Sequence, residues 1–203
     1  AVAELTGRFG AGGMSGTLQG GAGQIGNVPL LIDEAAGNWR YLNNVLTLDS
    51  NLQVLDAEQV DRFKPVRVPD MLLTLENSII AAIGNIIEPE TGTRVAGVDI
   101  RHNLNDSSGR ALLAVDDLRF NERFQPSLLT PLVVGVFANV DGAVNGDGRI
   151  EWDRQGVRSS GRVATTGMNL AAAFGPVEGL TTEMVFTDLL GLEHKWSHAL
   201  DQP

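Results

Sequence analysis

A glycine-rich run near the start of the chain, Gly21-Ala22-Gly23-Gln24-Ile25-Gly26, has a spacing that suggests nucleotide chemistry. The spacing matches a dinucleotide fingerprint, which works only where it follows a buried strand and opens a helix. No apolar strand precedes the run, and Asn27-Val28-Pro29 after it is a poor start for a helix. We therefore interpret these glycines as turns between short strands.

Oxygen-bearing side chains in the last third of the chain suggest calcium, namely Asp141, Asn145, Asp147 and Glu151. An EF-hand loop places oxygen ligands at its third and twelfth positions. Counted from Asp141, those positions hold Ala143 and Trp152, so the ligand pattern is broken. The run Asn145–Gly148 is better interpreted as a hairpin turn. The sequence predicts no calcium site.

Two histidines near the C-terminus, His194 and His198, are spaced to share one face of a helix. A zincin motif needs Glu directly after the first His, and this chain has Lys195 there. Catalytic zinc usually has three protein ligands, and only Glu193 lies nearby. His102 stands alone in an alternating run and is expected to be a packed or edge residue. We predict no metal site.

The remaining candidates for catalysis lack either the required geometry or a required residue. Asp116 and Asp117 are neighbours in a strand-like run, so their side chains point to opposite faces and cannot act as a pair. Ser15 lacks the second glycine of a nucleophile elbow, since Thr17 occupies that position. The sequence therefore predicts a protein that is not an enzyme and needs no cofactor.

Composition limits the partners. Acidic residues outnumber basic ones by 25 to 15, and the basic residues are dispersed, so a nucleic-acid surface is not predicted. The acidic balance also disfavours simple docking on anionic headgroups. Aromatic residues make up only 5% of the chain and cysteine is absent. The apolar residues are mainly aliphatic, which suits a smooth apolar surface.

Alternating apolar and polar residues organise the chain into strands. The clearest strand is Val45–Asp56, preceded by a turn at Asn43-Asn44; its apolar positions alternate with Thr47, Asp49, Asn51 and Gln53. Such alternation predicts one apolar and one solvated face. In the run Ile79–Ile87 both the odd-numbered and the even-numbered positions are mainly apolar, which predicts a strand covered on both faces.

The stretch from Asn139 to Leu192 reads as a meander of short runs separated by glycine turns. The runs are expected around Val140–Val144, Ile150–Trp152, Val157–Thr165 and Leu170–Phe174, with a last one at Met184 and Phe186. Before this stretch, the apolar segment that begins at Pro126 and ends at Ala138 predicts a short helix.

Together these patterns predict a mainly β fold. The expected form is an antiparallel meander that makes a curved, groove-like or partly open sheet with one or two short helices. We expect residues 1–203 to form a single β-rich module from a longer chain, with a sub-boundary near 121–138. The longest apolar-rich run, Leu128–Val140, is too short to span a bilayer as a helix.

The C-terminal stretch also resembles a known family, the YdbH-like proteins, which belong to the AsmA-like group that includes TamB. The resemblance rests on the order and spacing of a few short segments. These are Gly148-Arg149-Ile150 leading to Trp152, Gly156, Ser160-Gly161, Phe174-Gly175-Pro176-Val177 with Gly179-Leu180, and Phe186-Thr187-Asp188-Leu189.

This resemblance implies a non-enzymatic module of the Gram-negative envelope that conducts phospholipid between inner and outer membrane along an apolar β-groove. It implies a periplasmic location, inner-membrane anchoring through segments outside this chain, and a possible envelope protein partner. The alternative is a β-rich scaffold that binds a protein through an edge strand. The expected lipid-facing residues are Leu46, Leu48, Leu52, Val54, Val98, Ile100, Val140, Val144, Ile150, Trp152, Val163, Leu170, Met184 and Phe186.

Overall fold

The computed structural model describes residues 3–10, 13–24 and 28–190. These residues form one antiparallel sheet of 12 strands. The strands are β1 (Glu4–Leu5), β2 (Arg8–Gly10), β3 (Gly13–Gln24), β4 (Leu30–Leu42), β5 (Val45–Asp56), β6 (Val66–Glu76), β7 (Ile79–Ile87), β8 (Arg94–Asn103), β9 (Ser108–Phe120), β10 (Phe137–Asp153), β11 (Gly156–Ala172) and β12 (Gly175–Phe186).

The sheet is an open meander. From β3 onward each strand pairs with the next one along the chain, while β1 and β2 both pair with β3. Two 3₁₀-helices, Pro126–Leu128 and Pro131–Val133, lie between β9 and β10. The predicted fold class, including its short helices, is confirmed. Within the described ranges no helix is long and apolar enough to cross a membrane.

A short asparagine turn fixes the register of the hairpin formed by β4 and β5. Asn43 and Asn44 connect β4 to β5 with φ angles of 49° and 64°. Two consecutive positive φ angles are those of a type I′ turn, whose twist matches that of the flanking strands. The predicted strand Val45–Asp56 is confirmed as β5, and its four apolar positions share one face.

Two strands in the C-terminal half are longer than the sequence predicted. The segment Asn145–Gly148 lies inside β10, so its interpretation as a hairpin turn was wrong. A Cβ atom at Gly146 would lie 2.5 Å from the Arg162 carbonyl oxygen, so this glycine allows two strands to approach closely. The expected runs Val157–Thr165 and Leu170–Phe174 are likewise one strand, β11, up to Ala172, and Phe174 is exposed.

The prediction that β7 is covered on both faces was also wrong. Ile79 and Ile83 are 38% and 53% exposed, whereas Ala82 on the other face is buried. The sheet therefore has a buried side, called the inner face below, and an opposite outer face open to solvent. The apolar content of β7 alone could not distinguish these two arrangements.

The core lies on the inner face in three clusters. The first contains Leu52, Val68 and Met71, and the second is built around Phe120, Phe124 and Val140. The third joins Val28, just before β4, to Ala111, Ile150 and Trp152 of β9 and β10. Because residues so distant in strand order share one cluster, the sheet must curve toward its inner face.

Bulges keep apolar residues on the inner face. Register shifts in β4, β9 and β11 coincide with positive φ angles at Glu34 (52°), Asp117 (48°) and Gly167 (72°). A bulge adds one residue to a strand, exchanges the faces of all later side chains and bends the strand. In β11, Thr165 and Met168 therefore both point inward, although their numbers differ in parity.

Candidate functional site

Side chains of directly paired residues lie on the same face of an antiparallel sheet, so the register defines continuous rows across the inner face. One row runs from β4 to β11 and is apolar until its last member. It consists of Trp39, Leu48, Leu73, Ala82, Ile100, Ala111, Ile150 and Ser159. The inner face thus bounds a long apolar concavity, called the trough below.

A second row lies next to the first, nearer the hairpin turns. It consists of Tyr41, Leu46, Leu75, Ile80, His102, Gly109, Trp152 and Val157. Within it the buried Trp152 donates a 3.0 Å hydrogen bond from Nε1 to Nδ1 of His102. His102 was predicted to be either a packed or an edge residue. It is a packed residue on the inner face.

An apolar pocket opens at the β3–β6 end of the trough. Its volume is about 380 Å³, and only aliphatic and aromatic side chains line it: Leu5, Met14, Leu18, Trp39, Tyr41, Leu46, Leu48 and Leu73. The Trp39 indole is fixed at the wall because its Nε1 donates to the Thr6 carbonyl at 3.0 Å. The pocket presents a surface suited to hydrocarbon.

The 14 residues that the sequence predicted to face lipid all lie on the inner face or in its clusters. They differ in accessibility. Four are buried in the core: Leu52, Val140, Ile150 and Trp152. The other ten are half-buried or exposed, and Leu46 and Leu48 line the open pocket.

A buried ion pair joins the end of β5 to the loop that follows it. Arg62, in the loop between β5 and β6, binds Asp56 through Nε at 2.8 Å, and the Asp56 side chain has no exposed surface. Burial by itself would raise the pKa of Asp56, but hydrogen bonds from the Arg62 side chain and backbone outweigh it and lower the pKa. Arg62 also donates to the carbonyl oxygens of Pro29 and Leu190.

A family model matches residues 3–199, and its description is "YdbH-like: Intermembrane phospholipid transport protein YdbH". The chain belongs to the YdbH-like family. The resemblance noted in the C-terminal stretch is thereby confirmed and extends over nearly the whole sequence. No curated protein and no solved structure matches the chain.

Most polar candidates from the sequence have structural roles in this YdbH-like sheet. Asp147 binds Arg162 of the neighbouring strand, and Glu151 binds Arg149 two residues away. Across the described ranges, no three His, Asp or Glu side chains are grouped to hold a metal ion. His194 and His198 lie outside the described residues.

Sequence reasoning missed several residues that shape the trough of this YdbH-like chain. Met14, Leu18 and Leu73 line the pocket, and alternation within their runs was the available signal. Arg62 and Ser159 gave no signal, because each is a lone polar residue in an ordinary context. Their importance comes from partners that are distant in sequence.

Proposed function

We propose that the trough of this YdbH-like chain holds the acyl chains of phospholipids as they move between membranes, without changing the lipid chemically. The observation that carries the proposal is the continuous apolar row on the inner face, which begins at the open pocket lined by Trp39 and Leu48 and continues to the buried Ile150. The opposite face of the same strands carries Asp49, Asp99 and Arg162, all exposed.

Hydrophobic burial supplies the driving force. Each methylene that leaves water for an apolar surface gains roughly 0.8 kcal/mol. Aliphatic side chains contact hydrocarbon without directional bonds, so successive positions along the trough hold a chain about equally well. A lipid can then move without a large barrier at any single residue, while its headgroup stays at the wet rim.

The description of the family as intermembrane phospholipid transport supports an envelope location for this activity. We propose a periplasmic position for the trough in Gram-negative cells, with inner-membrane anchoring supplied by segments outside this chain. The relation to TamB and other AsmA-like proteins belongs to the same proposal, as does a possible protein partner in the envelope. The β-rich chain would act as one module of that path.

Photo-crosslinking from adjacent residues on opposite faces tests the proposal. The crosslinking amino acid p-benzoylphenylalanine is placed at Leu48, Val98 or Val163 on the inner face, and at Asp49, Asp99 or Arg162 as matched outer-face controls. The protein is irradiated with vesicles of dioleoylphosphatidylethanolamine that contain an alkyne-labelled analogue. Capture from the inner set alone is the expected result.

Two outcomes would contradict the proposal. Equal capture from both faces would mean nonspecific adsorption. Absence of capture from every position, with all six variants folded, would mean that the inner face is a closed core, and the scaffold interpretation would replace this one.

A further inference from the structure

The aliphatic lining of the inner face is interrupted where β10 meets β11. Gly148 and Gly161 are paired directly there, and Gly146 lies on the same face two residues earlier. Three positions without side chains leave a depression in the trough wall, flanked by Leu113 and Val163. We call it the glycine depression.

The segment after β12 fills the glycine depression with one side chain. A Cβ atom at Gly161 would lie 2.9 Å from Leu189 Cδ1, and one at Gly148 would lie 3.3 Å from the same atom. Leu189 therefore rests directly on the glycine backbone. A larger residue at Gly161 would leave no room for it.

Polar anchors hold this segment from two directions. Ser159 Oγ donates to Asp188 Oδ1 at 2.9 Å and accepts from the Leu190 backbone N–H at 3.0 Å. Arg62 Nη1 donates to the Leu190 carbonyl at 2.7 Å. Ser159 belongs to β11 and Arg62 to the β5–β6 loop, so residues 188–190, called the strap below, cross the trough.

The strap lies on the path that the proposed function requires. The apolar row that begins at Trp39 and Leu48 ends at Ser159, the residue that anchors the strap. The members of the row nearest the strap, Ala111 and Ile150, are buried, and Leu190 of the strap packs against their cluster, so a hydrocarbon chain that follows the row must displace the strap. The end of the row is thus occupied by an aliphatic side chain of the protein itself.

We infer that the glycine depression is an acyl-chain subsite, and that the strap occupies it whenever no lipid does. This inference rests on the proposed function. Leu189 presents an apolar hydrocarbon surface to the glycines, as a linear acyl chain would, so either occupant covers the same apolar surface. The hydrogen bonds of the strap can be exchanged for bonds to water when it leaves. Lipid and strap therefore exclude each other.

Removing the apolar contact of the strap is the first test. The full chain carries p-benzoylphenylalanine at Val163, beside the depression, and is irradiated with the alkyne-labelled phosphatidylethanolamine vesicles. Leu189→Ser is expected to raise capture several-fold, because the depression is left unfilled. Val185→Ser is the matched control: Val185 is 70% exposed and pairs with Arg162 on the outer face, so capture should not change.

Locking the strap is the second test. The chain has no cysteine, so a disulfide between Ser159→Cys and Asp188→Cys would be the only one it can form. Oxidation is expected to suppress capture at Val163, and reduction to restore it. A probe at Leu48, in the pocket, should capture lipid in both states.

The probe at Leu48 distinguishes a failure of the strap inference from a failure of the proposed function. If Leu48 captures lipid while capture at Val163 changes with neither Leu189→Ser nor oxidation, the strap inference is wrong and the proposed function stands. If neither position captures lipid in any folded variant, the proposed function is wrong and the subsite is refuted with it.

Discussion

Arg62 donates a 2.7 Å hydrogen bond to the backbone carbonyl of Leu190, although 128 residues separate the two along the chain. Arg62 is 6% exposed, and its guanidinium also binds Asp56 and the Pro29 carbonyl. One buried side chain thus connects the loop after β5, the start of β4 and the segment after β12. Curvature of the sheet is maintained in part by this connection.

Arg62→Ala should therefore lower the free energy of unfolding by about 3–5 kcal/mol, because it leaves the Asp56 carboxylate buried without its cation. Urea denaturation followed by circular dichroism measures the change. Arg119→Ala is the control, since the Arg119–Asp117 pair is 70% and 60% exposed and should contribute little. Equal losses in the two variants would contradict a structural role for Arg62.

Glu88 should make stability depend on pH in the acid range. It is 2% exposed; burial alone would raise its pKa, but hydrogen bonds from Thr91 and Glu90 outweigh it and hold the pKa below the ordinary 4.5. A lowered pKa in the folded state stabilises the protein above pH 4.5, and this stabilisation is lost as the pH falls through the folded value.

Glu88→Gln should cost about 1–3 kcal/mol at neutral pH, because an amide offers one acceptor oxygen to the three donors that the carboxylate now satisfies. The difference from the unmodified chain should shrink in acid. Thermal melts across a pH series measure it, and a difference that stays constant down to acid pH would refute the assignment.

The two faces of β5 should respond differently to charge. Leu52 is 8% exposed in the first core cluster, so Leu52→Asp buries a carboxylate in apolar surroundings and should prevent stable folding. Leu48→Asp should retain more stability but lose lipid capture, because Leu48 lines the open pocket. Asn51→Asp on the outer face is the control, and melting temperatures together with crosslinking yields rank the three.

Gly109 should tolerate no side chain. A Cβ atom there would lie 2.3 Å from Trp152 Cζ2 and 2.7 Å from the Arg101 carbonyl oxygen. Gly109→Ala should cost about 1–3 kcal/mol through overpacking and should disturb the Trp152 fluorescence. Gly23→Ala, in a strand position with nothing within 4 Å of the added atom, should be nearly neutral in the same denaturation experiment.

The sequence by itself determined the local structure. The alternation of Leu46, Leu48, Leu52 and Val54 with polar residues predicted β5 to the residue, because a period of two places one set on one face. Asn43-Asn44 likewise predicted its turn, since asparagine tolerates positive φ. The spacing of the C-terminal segments indicated the family, and each catalytic motif considered lacked a residue or a geometry that its chemistry requires.

The tertiary structure decided what depends on contacts between distant segments. Gly146 and Gly148 were interpreted as part of a turn, but they and Gly161 are sites where strands and the strap approach closely, which only the partner can reveal. Bulges at Glu34, Asp117 and Gly167 decided whether the odd-numbered or the even-numbered residues of each strand face inward. Curvature then buried Ile150 and Trp152 while it left Leu46 and Leu48 at an open pocket, because accessibility depends on what lies across the trough.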